Sequence, residues 1–291
     1  MSTRREKVRV AIIGSGNIGT DLMIKVDRSP VLQLVGVAGI DPASDGLRKA
    51  SERGYTTTHD GLTALLGMVP TIDLAFDATS AAAHPEHARV LAERGIRSVD
   101  LTPAALGPAV VPPVNLAEFR DASEVNLVTC GAQATVPVVA AIAQVAELKY
   151  AETVSTISSS SAGPGTRQNI DEFTRATARA LEKIGGAQDA KAIIILNPAD
   201  PPVMMRNTIY AEVTTLDEGA IGPAVVDAVA RVAEYVPGYR LLGPPLFSDH
   251  LVTLMVEVEG AGDNLPAYAG NLDIMTSAAV RVAELQAEEK S

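Results

Sequence analysis

Short apolar runs alternate with stretches of helical period through the first half of the chain. Residues 8–14 read as a strand, 18–28 as the helix after a glycine turn, and 32–40 as a second strand closed by Asp41-Pro42. Residues 43–53 read as helix, 72–78 as strand, 84–94 as a helix ended by Gly95, and 97–101 as a strand closed by Thr102-Pro103. A proline-rich loop at 107–113 precedes a last short strand at 126–129, and 137–148 reads as a Val- and Ala-rich helix. Strands joined by crossovers of helical length predict a parallel, doubly wound sheet.

The second half changes character. Residues 152–159, 192–196, 208–214 and 251–258 are strand-like, and 168–184 and 224–235 carry helical period between them. That order suits an open mixed sheet. A final amphipathic stretch at 274–285 is placed to return to the first half. The expected fold class is α/β: a doubly wound parallel sheet followed by a second α/β domain. The expected boundaries are 1–131 and 132–270, with 271–291 packing back on the first domain.

Composition narrows the chemistry. Aromatic residues make up 3% of the chain and Trp is absent, against 47% hydrophobic residues. The core must therefore be aliphatic, which suits buried parallel strands. Net charge is −11, from 35 acidic and 24 basic residues, a balance that disfavours nucleic acid and anionic membrane surfaces as partners. No apolar run reaches the length of a membrane span, and the polar start lacks the apolar core of a signal peptide. One cysteine leaves no internal disulfide and no zinc–cysteine cluster. The cytoplasm is the expected compartment.

Gly14, Gly16 and Gly19 have the spacing G-x-G-x-x-G between an apolar strand and a helix. The first permits a tight turn, the second lets backbone approach a pyrophosphate, and the third lets helix and strand pack closely. The helix N-terminus offers free N–H groups to phosphates. Asp41, at the end of the next strand, can accept hydrogen bonds from both ribose hydroxyls and repels a 2′-phosphate, which favours NAD. Arg48 nearby leaves NADP open, and Asp41 also reads as a turn residue before Pro42.

Cys130 lies between an apolar run and a helix. A helix N-terminus favours the thiolate, so a reactive cysteine of lowered pKa is expected. Such a thiolate attacks an aldehyde, and hydride loss to a nicotinamide leaves a thioester. The residue also reads as a small buried hydrophobe. The Ser- and Gly-rich segment 158–169 offers N–H and hydroxyl groups for phosphate, carboxamide or oxyanion contacts, or is a flexible loop with an ordinary cap. His84 and His87, three apart, read as capping and surface residues rather than metal ligands.

Longer stretches carry a family pattern. They are 14–22 (Gly-Ser-Gly-Asn-Ile-Gly-Thr-Asp-Leu), 78–80 (Ala-Thr-Ser), 100–104 (Asp-Leu-Thr-Pro-Ala) and 128–131 (Val-Thr-Cys-Gly) with Gln133-Ala-Thr. Further on come 161–167 (Ser-Ala-Gly-Pro-Gly-Thr-Arg), 169–173 (Asn-Ile-Asp-Glu-Phe), 195–199 (Ile-Leu-Asn-Pro-Ala) and 265–278, from Leu-Pro-Ala-Tyr to Met-Thr-Ser-Ala. On these residues the chain resembles the acylating acetaldehyde dehydrogenases of bacterial meta-cleavage pathways. The resemblance runs from the glycine turn almost to the C-terminus.

That resemblance implies a Rossmann-type NAD-binding domain and an α/β dimerisation domain. It implies Cys130 as the acyl-thioester nucleophile. It implies NAD on Ser15, Gly16, Asn17 and Ile18, on the loop Ser161, Ala162, Gly163, Pro164, Gly165, Thr166, Arg167, Gln168 and Asn169, and at Asn271. Coenzyme A is the implied co-substrate, taking acetaldehyde or propanal to the acyl-CoA. The implied partner is a 4-hydroxy-2-oxoacid aldolase, with a homodimer of this chain inside a hetero-oligomer.

Two departures accompany the match. Where the family carries an aspartate proposed to assist the cysteine as base, this chain has Asn207, which cannot accept a proton at neutral pH; Asp200, in the neighbouring turn, reads as a substitute or simply as a turn former. The stretch between Tyr239 and Leu251 is also shorter, which bears on aldolase docking, CoA entry or loop closure. Two other readings stand beside the first. One is a related cysteine semialdehyde dehydrogenase with phosphate as acyl acceptor; the other is a catalytically reduced, NAD-binding structural partner of the aldolase.

Overall fold

The computed structural model describes residues 6–163, 167 and 169–288. The chain forms two compact units, one of residues up to 110 with 117–127 and 276 onward, the other of 111–116 and 128–275. The sequence reading has its breaks at 131/132 and 270/271.

In the first unit β1 (Val8–Ile13), β2 (Leu32–Ala38), β3 (Thr56–Thr58), β4 (Leu74–Asp77), β5 (Arg97–Asp100) and β6 (Glu124–Asn126) form one sheet in the order β3-β2-β1-β4-β5-β6. Every pair is parallel. This is the doubly wound arrangement that the alternating pattern predicts, with strand order reversing between β1 and β4. The helices Asn17–Arg28, Asp45–Glu52, Gly61–Met68 and His84–Glu93 are the crossovers. Leu62, Leu65 and Leu91 from two of these helices pack on Ala11, Ile13 and Ala75 of the sheet. The sequence reading lacks β3 and the helix Gly61–Met68. Three threonines give β3 no apolar run, and its pairing comes entirely from β2.

The last helix, Gly270–Glu288, carries the chain back into this unit. Thr276 Oγ1 donates to Asp21 Oδ2 at 2.5 Å and Ser29 Oγ donates to Glu284 Oε1 at 2.7 Å, so two polar pins hold it against the helix that follows the glycine turn. Among the described residues no helix is long and apolar enough to cross a membrane.

The second unit is a mixed sheet. Its strands are β7 (Leu148–Ser158), β8 (Asp189–Asn197), β9 (Met205–Val213), β10 (Tyr239–Leu241), β11 (Leu246–Ser248) and β12 (Leu251–Val258). They run in the order β10-β12-β9-β7-β8, with β11 also on β12. β7 and β8 are parallel and the remaining pairs antiparallel. Helices Cys130–Val145, Ile170–Lys183 and Glu218–Ala233 supply Val139, Leu181 and Val225 to a core with Ile157, Ile209 and Leu254 of the sheet. The opposite face carries Ile195 and Met255, each 44% exposed.

Two boundaries differ from the sequence reading in a way that matters for the site. The strand before Cys130 ends at Asn126, and the helix begins at Cys130 itself rather than at Pro137. Proline favours a helix's first turn because its missing N–H costs nothing there. Here, though, Thr129 caps the helix, its Oγ1 accepting from the Ala132 N–H at 3.0 Å, and Pro137 lies inside. Leu148, read as the end of that helix, instead opens β7, with a register irregularity between Leu148 and Tyr150.

Candidate functional site

The site residues fall into two groups, one in each unit. The first is built around the glycine turn. Gly14 has φ +108°, and a Cβ there would lie 2.6 Å from the Ala78 carbonyl oxygen. A Cβ on Gly19 would lie 1.8 Å from the Gly14 carbonyl oxygen, so only glycine lets the helix Asn17–Arg28 start this close to β1. Gly16 and Asn17 are exposed, Gly16 faces open space, and no side chain caps the helix. Free first-turn amides beside open backbone are what a pyrophosphate requires. The cradle fits a dinucleotide.

Ser15 is joined to Ser44, the cap of the helix Asp45–Glu52, by hydrogen bonds that the sequence reading did not include. Ser44 Oγ lies 2.8 Å from Ser15 Oγ and 3.1 Å from the Ser15 carbonyl oxygen, and the Ser44 N–H donates to the Asp41 carbonyl oxygen at 3.1 Å. Asp41 is exposed and its Oδ1 accepts from the Ala43 N–H at 2.9 Å, so the turn role and an open second oxygen coexist. The signal for Ser44 was available: a serine directly before an acidic helix start is a capping residue. We expect Gly19→Ala to weaken NAD binding at least about ten-fold and to cost about 1–3 kcal/mol of stability by overpacking. Titration with NAD and a denaturant midpoint check this; unchanged affinity would remove the turn from the binding site.

The second group includes Cys130, which is half-buried at the first position of its helix. Val128, two residues before it, has φ +62°, a strained conformation for a β-branched residue, and such strain concentrates at functional turns. Thr129 Oγ1 also pairs with Thr177 Oγ1 at 2.7 Å, fixing the turn to the helix Ile170–Lys183. Burial pushes the thiol up to about 12, although the backbone N–H groups of Gly131 and Cys130 hydrogen-bond the sulfur and pull the other way. The expectation of a lowered pKa is thus overturned. Two amides at a helix start do not offset the loss of water around a thiolate.

A thiol of this kind ionises more with every step up in pH. In the free protein we expect alkylation of Cys130 by iodoacetamide to accelerate about ten-fold per pH unit from neutral to roughly pH 9, with no plateau. A plateau near neutrality would mean that the amides outweigh desolvation after all.

Ser161 is buried, with its Oγ donating to the Ser158 carbonyl oxygen at 2.9 Å, and Asn271 Nδ2 donates to the Ser161 carbonyl oxygen at 3.4 Å. Asn271 therefore reaches the serine loop, as a buried residue whose Oδ1 has no partner among the described residues. Ala162 is buried and Gly163 exposed. Arg167 Nε donates to the Ala162 carbonyl oxygen at 3.1 Å and its Nη2 to the Ser159 carbonyl oxygen at 2.7 Å, folding the loop on itself. The carbonyl oxygen of Asn169 accepts from the Phe173 N–H at 2.9 Å as the next helix begins. Pro164, Gly165, Thr166 and Gln168 lie outside the described residues. Asn207, which stands where the family carries its aspartate, is wholly buried in β9, and Asp200, read as a substitute base or a turn former, is exposed in the turn between β8 and β9.

The histidine pair corrects the sequence reading most sharply. His84 is wholly buried, not a surface residue. Its Nδ1 lies 2.9 Å from Asp77 Oδ2, and its Nε2 lies 2.8 Å from Glu124 Oε1 and 3.3 Å from Asp100 Oδ2. His87 Nδ1 lies 2.8 Å from the same Asp77 oxygen. His84, Asp100 and Glu124 are also close enough together to hold a cation. Burial alone would lower the His84 imidazolium, but its bonds to Asp77 and Glu124 and the charge of Asp100 push it up to about 9. Burial would likewise raise Asp77; the hydrogen bonds from His84, His87 and Thr79 hold it well below the usual carboxylate range. For Asp100 burial prevails over the Thr102 hydrogen bonds and the pKa is raised. An imidazolium between three carboxylates accounts for the geometry, and it joins the carboxyl ends of β4 and β5 beneath the loops that follow them.

Comparison with known proteins gives the same picture at the level of the whole chain. Residues 130–266 match the family described as "Prokaryotic acetaldehyde dehydrogenase, dimerisation". The acetaldehyde dehydrogenase of Geobacillus stearothermophilus is 58% identical over 286 residues, covering 98% of this chain and 97% of that one. That of Acidovorax sp. (strain JS42) is 55% identical over 289 residues, covering 98% and 96%. Among solved structures, aspartate semialdehyde dehydrogenase II from Vibrio cholerae superposes with TM-score 0.65 at 14% identity, covering 99% of this chain and 100% of that one. Its complex with ASA gives 0.63 at 18% identity. These two likenesses establish the fold.

Proposed function

Because this chain belongs to the prokaryotic acetaldehyde dehydrogenase family, we propose that it oxidises short aldehydes such as acetaldehyde and propanal to the acyl-CoA, with NAD as acceptor. The observation that carries this is Cys130: a half-buried thiol on the first turn of a helix, behind a strained Val128, with two backbone amides on its sulfur. Ser15, Gly16, Asn17 and Ile18 with Asp41, and Ser161–Asn169 with Asn271, are the proposed NAD contacts. The open glycine cradle supports the first set, and the link from Asn271 to Ser161 supports the second.

The Cys130 thiol gives up its proton to solvent, and the sulfur forms a bond to the aldehyde carbon as the carbonyl electron pair moves to oxygen. A bound nicotinamide supplies the hydride acceptor. As the C–H bond breaks and its hydrogen leaves the carbon as hydride, the oxygen's electron pair re-forms the carbonyl and a thioester remains on Cys130. The thiol of coenzyme A then bonds to that carbon as the Cys130 C–S bond breaks, and its proton is left to the cysteine sulfur or solvent. The amides of Cys130 and Gly131 hold the sulfur in place, and the capped, pinned turn keeps it there. A 4-hydroxy-2-oxoacid aldolase is the proposed source of the aldehyde, on family resemblance. The exposed Ile195 and Met255 face of the second sheet is the proposed surface for self-association.

Intact-protein mass spectrometry after exposure to acetaldehyde and NAD without coenzyme A tests the reading. An acetyl adduct that coenzyme A removes is the expected result. No adduct, despite demonstrated NAD binding, would replace the enzyme by the catalytically reduced reading.

A further inference from the structure

Residues 78–83 connect β4 to the helix His84–Glu93, and this loop starts beside the glycine turn. The Ala78 N–H donates to the Ile13 carbonyl oxygen at 2.8 Å. A Cβ on Gly14 would lie 2.6 Å from the Ala78 carbonyl oxygen and 3.4 Å from Thr79 Cγ2. Sheets of this kind bind ligands outside the carboxyl ends of the strands, where the strand order reverses. That point lies between β1 and β4. The loop is therefore one wall of the crevice, with Thr79 and Ser80 exposed on it.

A single residue fixes this wall at both ends. The His84 N–H donates to the Ser80 carbonyl oxygen at 3.0 Å, which holds the far end. The near end is held through the wholly buried Asp77. Its Oδ1 accepts from the Thr79 N–H at 3.0 Å and from Thr79 Oγ1 at 2.5 Å, while its Oδ2 accepts from His84 Nδ1 at 2.9 Å. His87 Nδ1 reaches the same Oδ2 at 2.8 Å, but His84 is also anchored on its other side, by Glu124 Oε1 at 2.8 Å and Asp100 Oδ2 at 3.3 Å. The orientation of the Asp77 carboxylate, and with it the hold on Thr79, follows from that anchor.

We propose that His84 is a positioning residue for NAD: through Asp77 it holds the loop after β4 in the form that walls the dinucleotide crevice. The inference rests on the NAD site proposed at the glycine turn. His84 lies wholly buried, so its action passes through Asp77 and Thr79 rather than by contact with the cofactor. When the donor to Asp77 is lost the loop samples other forms, and apparent affinity falls with the fraction of molecules that keep the competent one. Cys130 and its capped turn belong to the other unit and keep their own hydrogen bonds, so turnover at saturating NAD is spared.

Two neutral substitutions isolate the donor. His84→Asn keeps an N–H at the place of Nδ1, whereas His84→Gln carries it out to the place of Nε2, towards Glu124. In calorimetric titrations, His84→Gln is expected to weaken NAD binding about ten-fold and His84→Asn less than about three-fold. The number of sites per chain should stay at the wild-type value, because a merely destabilised protein loses sites and not affinity. In steady state the KM for NAD should rise with the Kd while kcat stays within about two-fold. Thr79→Val probes the same link from an exposed residue, and it decides the question should the glutamine variant not fold. It too should weaken NAD about ten-fold, and added to His84→Gln it should cost less than about two-fold more, since both act through Asp77. Unchanged affinity in Thr79→Val, equal losses in the Gln and Asn variants, or additive losses in the pair overturns the positioning role and leaves the NAD site standing. Wild type that binds no NAD overturns that site and the inference with it.

Discussion

Cys130→Ser is expected to lower CoA-dependent NADH formation by about 10⁴-fold or more, the scale on which enzymes lose activity with their nucleophile. The serine oxygen occupies the same first helical position, but its pKa lies far above that of a thiol, and the acyl adduct should vanish from the mass spectrum. NAD affinity should change by less than about two-fold, because the glycine cradle is built from Gly14, Gly16, Gly19, Ser15 and Ser44. Loss of NAD binding in this variant would show that Cys130 supports structure and that its chemistry has been misassigned. The alkylation profile expected of the thiol gives an independent view, since it needs neither aldehyde nor cofactor.

His84→Ala is expected to cost about 3–5 kcal/mol near neutral pH, because it leaves Asp77, Asp100 and Glu124 without their shared cation. The pH dependence should change as well. His84 has a folded pKa raised to about 9, so its stabilisation is complete below the unfolded histidine value near 6.5 and is lost as pH rises through 9. The raised pKa of Asp100 works in the same direction, since the folded state favours its protonated form. Asp77, held low, stabilises above the ordinary carboxylate range and ceases to do so as pH falls below it. Wild type should therefore lose stability from roughly pH 6.5 to 9.5, and the alanine variant should lose much less over that interval. Parallel curves from denaturant melts would show that this network does not set the alkaline limit.

These two residues also mark how far the sequence could be read. Cys130 stood out because its signals are local: a lone thiol, an apolar run before it and a small-residue helix start after it. His84 did not, because its partners Asp77, Asp100 and Glu124 come from three different strand ends and meet only when β4, β5 and β6 lie side by side. Asn207 stood out as a departure from the family pattern, yet its neighbours Ser155 and Thr153 were unremarked. Their inward direction depends on strand parity, which the irregularity between Leu148 and Tyr150 resets. Pro137 misplaced a helix start by a sound local rule that the Thr129 cap outweighs.

The sequence by itself determined the alternation of strands and helices, the glycine turn, the position of Cys130 at a strand-to-helix junction and the family. All of these depend on sterics and hydrogen bonding among residues close along the chain. The tertiary structure alone decided that burial pushes the Cys130 thiol up, that His84 is buried among Asp77, Asp100 and Glu124, and that three polar side chains lie on the sheet face that packs on the helices. Desolvation, charge pairing and cross-strand register are sums over neighbours brought from distant parts of the chain, and those neighbours exist only once the sheets have formed.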